Sequence, residues 1–195
     1  MDFMKEIILI GCGGHCRSVI DVIEQEDKFK IAGLVDKSDS KIESIFGYPI
    51  IGNDQDLEHL VCQYKYALIA VGQVGSPKPR IDLFKMAKEL GFVLPSIFSP
   101  RAYISRNATI GEGTVIMHDA LVNANVRIGK NCIINSRALI EHDCEINNNC
   151  HISTNTTING GVVIGEGSFI GSGSTTKENI IVDANSFIKA GSVVK

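Results

Sequence analysis

His142 and Asp143 stand side by side in EHDCEI, residues 141–146. An imidazole, with an unperturbed pKa near ~6.5, takes up a proton at neutral pH, and a carboxylate beside it supports the resulting charge. That pair is the chemistry of a general base. The competing reading is a mere corner. Ile140 and Ile146 flank the pair, the chain repeats their spacing many times, and Asn, Asp or Gly recurs at the position of Asp143. A second pair, His118-Asp119 in MHDALV, is read as surface on another face. His151 directly precedes Ile152 and is expected to point outward, and His59 falls in a charged helical stretch.

The other stretch with chemical content is GCGGHC, residues 11–16, which carries Gly13, Gly14 and His15. It follows a β-branched run and precedes RSVIDVIEQE, which has helical spacing. Amides at such a helix start can receive a phosphate group. Cys16 replaces the third glycine of G-x-G-x-x-G, and Asp36 falls about 20 residues on, roughly where a dinucleotide fold places a ribose acid. A tight turn with no ligand is the alternative. The half-size domain lacks room for a second mononucleotide unit, so a nucleotide-linked substrate fits better than a nicotinamide cofactor. The six cysteines, 12, 16, 62, 132, 144 and 150, contain no C-x-x-C pair, which argues against zinc and dithiol chemistry. No metal site is expected.

The elements that position these residues begin with the repeat. From Ser99 the chain divides into sixteen hexads without an insertion, ending at Ile104, Ile110, Ile116, Val122 and so on to Val194, with only Thr176 not aliphatic. Two positions before the aliphatic the residue is mostly small, including Cys132, Cys144 and Cys150, which are therefore interior fillers. Three positions before it come Asn107, Gly113, Asp119, Asn125, Asn131, Asp143, Asn149, Asn155 and Gly161, types that tolerate positive φ at a corner. A period of six of this kind predicts a parallel β-helix. Three hexads per coil stack residues 18 apart, with Ile116, Ile134, Ile152, Ile170 and Ile188 in one interior ladder.

Residues 1–98 read differently. Strands EIILIG, FKIAGLVD, YPIIG and YKYALIAVG alternate with helical stretches, ending in PRIDLFKMAKELGF. That alternation predicts a small Rossmann-like parallel sheet. The expected organisation is therefore α/β plus all-β: a Rossmann-like domain suited to a nucleotide-linked substrate over 1–98 and a β-helix over 99–195. The net charge of -3 and the 21% of charged residues offer no electrostatic basis for a nucleic-acid or anionic-membrane partner. The first apolar run is too short for a signal peptide and no stretch approaches the ~20 apolar residues of a membrane span, so a soluble cytoplasmic protein is expected.

With GCGGHC, GLVDK, YPIIGND, AVG with Arg80 nearby, and INSRALIEHDCEINNNCHISTNTTINGG in view, the chain resembles bacterial sugar acetyltransferases of the PglD/NeuD type, in the hexapeptide-repeat superfamily. The likeness covers nearly the whole chain. It implies a left-handed β-helix, a homotrimer, and acetyl-CoA as co-substrate. His142 matches the family's general base and Asp143 its supporting acid, which in the family is often Glu. His151 matches a histidine that contacts acetyl-CoA, and Gly160 and Ser172 are carried over to the same co-substrate. Gly13, Gly14, His15, Asp36, Lys37 and Gly72 are carried over to the nucleotide sugar. Relatives commonly continue past the position of Lys195 into another coil and a Gly-x-Pro tail that grips the adenine end of CoA. Three functions stay open: N-acetylation of a nucleotide-linked amino sugar, O-acetylation of a sialic-type acid, and a non-catalytic trimeric scaffold. The chemistry of direct transfer needs a base for the attacking amine or alcohol and no acyl-enzyme, so the cysteines need no nucleophilic role.

Overall fold

The computed structural model describes residues 4–195; residues 1–3, part of the N-terminal stretch read above, lie outside the described residues. The chain forms two compact units, Met1–Gly72 with Lys78–Pro95, and Gln73–Pro77 with Ser96–Lys195. The division falls a few residues before the expected one. Ile97 and Phe98 already pair with Val115 and Ile116 as the first rung of the β-helix. The short segment 73–77 also belongs with the second unit, which no local pattern announces.

The first unit is a five-stranded sheet: β1 Lys5–Ile10, β2 Phe29–Asp36, β3 Ser44–Ile45, β4 Tyr48–Asn53 and β5 Tyr66–Ile69, in the order β3-β4-β2-β1-β5. All pairs are parallel except the β3–β4 hairpin. Ile7, Ile8, Leu9 and Ile10 are all buried, as expected of a central parallel strand covered on both faces. Helix α1, Gly14–Glu26, buries Cys16, Val19, Ile20, Val22 and Ile23, one stripe of a 3.6-residue period. It stops at Asp27, whose left-handed backbone lets its N–H reach the Ile23 carbonyl. Asn53 and Asp56 form a capping box over the short helical turns that follow β4. The β1–α1 turn requires glycine at one place. Gly11 has φ 106 and a Cβ there would collide with Val71.

The second unit is a left-handed parallel β-helix of two-residue strands in three sheets. The first face holds strands 97–98, 115–116, 133–134, 151–152, 169–170 and 187–188. The second holds 103–104, 121–122, 139–140, 157–158, 175–176 and 193–194. The third holds 109–110, 127–128, 145–146, 163–164 and 181–182. The interior ladder from Ile116 to Ile188 pairs in the expected register. Cys132, Cys144 and Cys150 are buried fillers. Corner residues Asp119, Asn125, Asn131, Asp143, Asn149 and Asn155 all have φ between 55 and 61. Asn107 is not among the left-handed residues, whereas Arg137 is, at φ 61. Among the described residues no helix is long and apolar enough to cross a membrane.

Candidate functional site

His142 and Asp143 occupy the corner between strands 139–140 and 145–146, at the junction of the second and third faces. The left-handed turn at Asp143, φ 61, points its short side chain back at its neighbour. His142 Nδ1 lies 2.8 Å from Asp143 Oδ2, so the short aspartate side chain is long enough to close the pair. Their side chains remain 62% and 55% exposed. Asp143 Oδ1 accepts the side-chain amide of Asn125 at 2.7 Å. The amide bond from Asn125, and then the bond from His142, hold the Asp143 carboxyl below the usual carboxylate range. An ionised Asp143 can accept the proton of Nδ1, the tautomer in which Nε2 is the ring's acceptor.

Gly160 is the seat of this ring. A Cβ there would stand 2.8 Å from His142 Cε1 and 2.9 Å from Nε2. One residue before it, the ladder is broken. Asn159 N–H donates to the Thr176 hydroxyl at 3.0 Å, and the Asn159 side chain takes the Thr176 carbonyl at 2.7 Å. The one non-aliphatic rung is thus a hydrogen-bonding device beside the histidine's seat. Asn125 and Thr176 were not singled out for chemistry from sequence; the available signal was their place in the stack, 18 residues before Asp143 and at the exceptional hexad.

The other carried-over residues of the β-helix lie elsewhere. Ser172 sits at the corner between the first and second faces, exposed, its hydroxyl 2.8 Å from that of Ser153. His151 is on the outer side of the first face. It is only 6% exposed. Its Nδ1 donates to the Gln73 carbonyl at 2.7 Å, its Nε2 faces the Asn135 amide at 3.2 Å, and Phe169 packs edge-on at 5.2 Å. Segment 73–77, distant in sequence, covers it. His118 lies at the corner between the first and second faces. It is half-buried, and its Nδ1 lies 2.7 Å from Ser99 Oγ, while Asp119 is turned away to Arg101 in a two-bond pair at 3.1 and 2.7 Å.

In the first unit, a cavity of about 330 Å³ opens at the C-terminal ends of the parallel strands, the usual binding edge of such sheets. Gly13, Asp36, Lys37, Asp54 and Gly72 line it. Gly14 and His15 open α1 beside it, and His15 packs against Gly72, where a Cβ would lie 3.3 Å from its own. Asp36 Oδ2 accepts the Ser40 hydroxyl at 2.6 Å. Burial, and then the charge of Asp36, push the Asp54 carboxyl up. Burial pushes the Cys12 and Cys16 thiols up to about 11 and about 12, so neither is a nucleophile at neutral pH. A larger cavity, about 520 Å³, lies at the opposite ends of the strands around Lys30, Tyr64 and Tyr66. It has neither a glycine turn nor a helix start and is set aside. Among the described residues no cluster of three or more His, Cys, Asp or Glu is arranged to hold a metal.

Residues 6–87 match the family model of the PglD N-terminal domain, and residues 107–142, 125–160 and 143–178 match the bacterial transferase hexapeptide model. The acetyltransferase domain of PglB from Neisseria gonorrhoeae is 30% identical, with a TM-score of 0.89 over 98% of this chain and 91% of that one. PerB from Caulobacter crescentus, solved with CoA and GDP-perosamine, is 30% identical, with a TM-score of 0.90 over 98% and 89%. UDP-N-acetylbacillosamine N-acetyltransferase of Bacillus subtilis is 33% identical over 118 residues, 58% of this chain, a match spanning about half (52%) of that relative. With both family models matched and a whole-chain structural likeness at 30% identity, the chain belongs to the PglD-type hexapeptide-repeat sugar acetyltransferases.

Proposed function

We propose that the protein transfers the acetyl group of acetyl-CoA directly to the amine of a nucleotide-linked amino sugar, with His142 as general base. The observation that carries this reading is the Nδ1–Oδ2 bond of 2.8 Å to Asp143, which favours the tautomer with Nε2 as the acceptor. The amine attacks the thioester carbonyl carbon, the C–N bond forms as the carbonyl electrons move to oxygen, and the N–H proton passes to Nε2. Collapse of the tetrahedral oxyanion breaks the C–S bond, and the CoA thiolate takes the proton back from the imidazolium. A backbone amide of the repeat is the simplest donor to the oxyanion. Gly13, Gly14, His15, Asp36, Lys37 and Gly72 are assigned to the nucleotide sugar. Gly160, Ser172 and His151 are assigned to the acetyl-CoA groove, His151 through the Asn135 amide it holds rather than through a free ring nitrogen. The nucleotide-sized cavity favours this reading over a free sialic-type acid. The use of acetyl-CoA as co-substrate supports a cytoplasmic reaction.

The working form is a homotrimer with sites between copies. The second face presents an outward row of Tyr103, Leu121, Leu139 and Val193, with Tyr103 61% and Val193 69% exposed. The His142 corner borders one edge of this face and the Ser172 corner the other. A head-to-tail contact across it brings Ser172 of one copy toward His142 of the next, and a threefold rotation closes such contacts into a ring. The test is thiol release from acetyl-CoA against a panel of nucleotide amino sugars, amino sugars and sialic acids. His142→Ala should lower kcat by roughly 10²–10⁴-fold with the trimer intact by light scattering. His118→Ala should leave the rate unchanged. A full rate in His142→Ala, or a monomer with full activity, refutes the corresponding part.

A further inference from the structure

We infer that Asn125 is a positioning residue for the base, the outer member of an Asn125–Asp143–His142 relay. The inference rests on the reading of His142 as base. Bonds between corner side chains 18 apart are part of this scaffold: Asn131 donates to Asn149 at 2.9 Å, and Arg101 pairs with Asp119. Among the described residues, only at the His142 corner is the acceptor a carboxylate whose other oxygen holds a histidine, with 2.7 Å on one side and 2.8 Å on the other.

The terminal torsion of an aspartate is broad and roughly two-fold. Asp143 is exposed, so packing does not choose its orientation. The Asn125 amide takes Oδ1 and thereby delivers Oδ2 to Nδ1, fixing the tautomer in which Nε2 is the acceptor. The same bond is the largest influence keeping the carboxyl ionised, as a base-supporting acid must be. Backbone bonds set the spacing. Asp143 N–H donates to the Ala124 carbonyl at 3.1 Å, and Gly161 N–H donates to the His142 carbonyl at 3.0 Å. The ionisable neighbours do not replace Asn125. Glu141 is held by the Asn123 amide at 2.8 Å, and Arg106 and Glu178 stand two coils to either side of His142 in the corner stack. An exposed bond of this type adds little to stability; its effect is on orientation.

Asn125→Gly removes the donor and keeps the left-handed backbone, φ 59, without strain. Asn125→Asp keeps the shape and replaces donor by acceptor. The first readout is the tautomer of His142 by ¹⁵N NMR of the full-length protein, which needs no substrate. Wild type should hold the proton on Nδ1, and both variants should show a mixture. Asn185→Gly, the same change at an exposed left-handed corner, should show the wild-type tautomer. The second readout is acetyl transfer to GDP-perosamine and to a UDP-linked 4-amino sugar. Both variants should lose on the order of tenfold in kcat, with either KM within about twofold. An unchanged tautomer and kcat in either folded variant overturns the inference. If wild type releases no thiol with any acceptor, the functional reading fails, and the tautomer alone decides for or against the relay.

Discussion

Gly160→Ala isolates the geometry of the base from its chemistry. The added methyl would stand 2.8 Å from Cε1 and 2.9 Å from Nε2 of His142, where ordinary contact needs ~3.5 Å. The ring must therefore retreat by about 0.7 Å, enough to weaken the bond to Asp143 severely if the shift runs along it. Nε2 is one of the two atoms most displaced. A misplacement approaching 1 Å costs about 10² in rate, or ~2.7 kcal/mol of transition-state stabilisation. Stability should hardly change. The side chain of His142 is 62% exposed and can swing into solvent, and Gly160 is not in the left-handed region, so alanine introduces no backbone strain. The expected result is a kcat about 100-fold lower, with the thermal midpoint within a few degrees of wild type. The assay is initial-rate thiol release, in single variants and in the His142→Ala background. If the methyl acts through the imidazole, it costs nothing further once the imidazole is gone. A full rate in Gly160→Ala refutes the seat. An equal loss in both backgrounds leaves Gly160 with its part in the acetyl-CoA groove alone and removes the seat.

Gly13→Val should fold normally, because Gly13 has φ -75 and a Cβ there meets no atom within 4 Å; the side chain fills the cavity, so the KM for the nucleotide sugar rises about tenfold or more while that for acetyl-CoA holds. Ile152→Ala, in the fully buried ladder, should cost about 2–5 kcal/mol in urea unfolding. Because the Asp143 carboxyl is lowered in the folded state, its contribution to stability is present above the ordinary carboxylate range and lost as pH falls through its folded value. The gap in urea midpoint between wild type and Asp143→Asn should therefore shrink on acidification from pH ~6 to pH ~3, and a gap that widens contradicts the sign.

What the sequence by itself determined is whatever follows from a repeated local rule. A period of six decides which side chain faces inward, so the ladder from Ile116 to Ile188, the cysteine fillers and most left-handed corners could be read without a structure. Strand β2 runs over the predicted Phe29–Asp36, and the glycine turn before α1 was legible because helix starts have chemical signatures. The adjacency of His142 and Asp143 was legible too, but not its quality, since adjacency says nothing of which way two side chains turn. Only the tertiary structure decided that Asn125 orients Asp143, that Gly160 seats the imidazole, that Ser99 holds His118, and that Gln73 covers His151. Even the rule had exceptions, with Asn107 outside the left-handed region and Arg137 within it. The reason is physical. Backbone conformation in a β-helix is dictated by local types and a cooperative hydrogen-bond ladder. The environment of an outward side chain depends instead on groups a coil away, or, for His151, 78 residues away, and no period in the sequence records those neighbours.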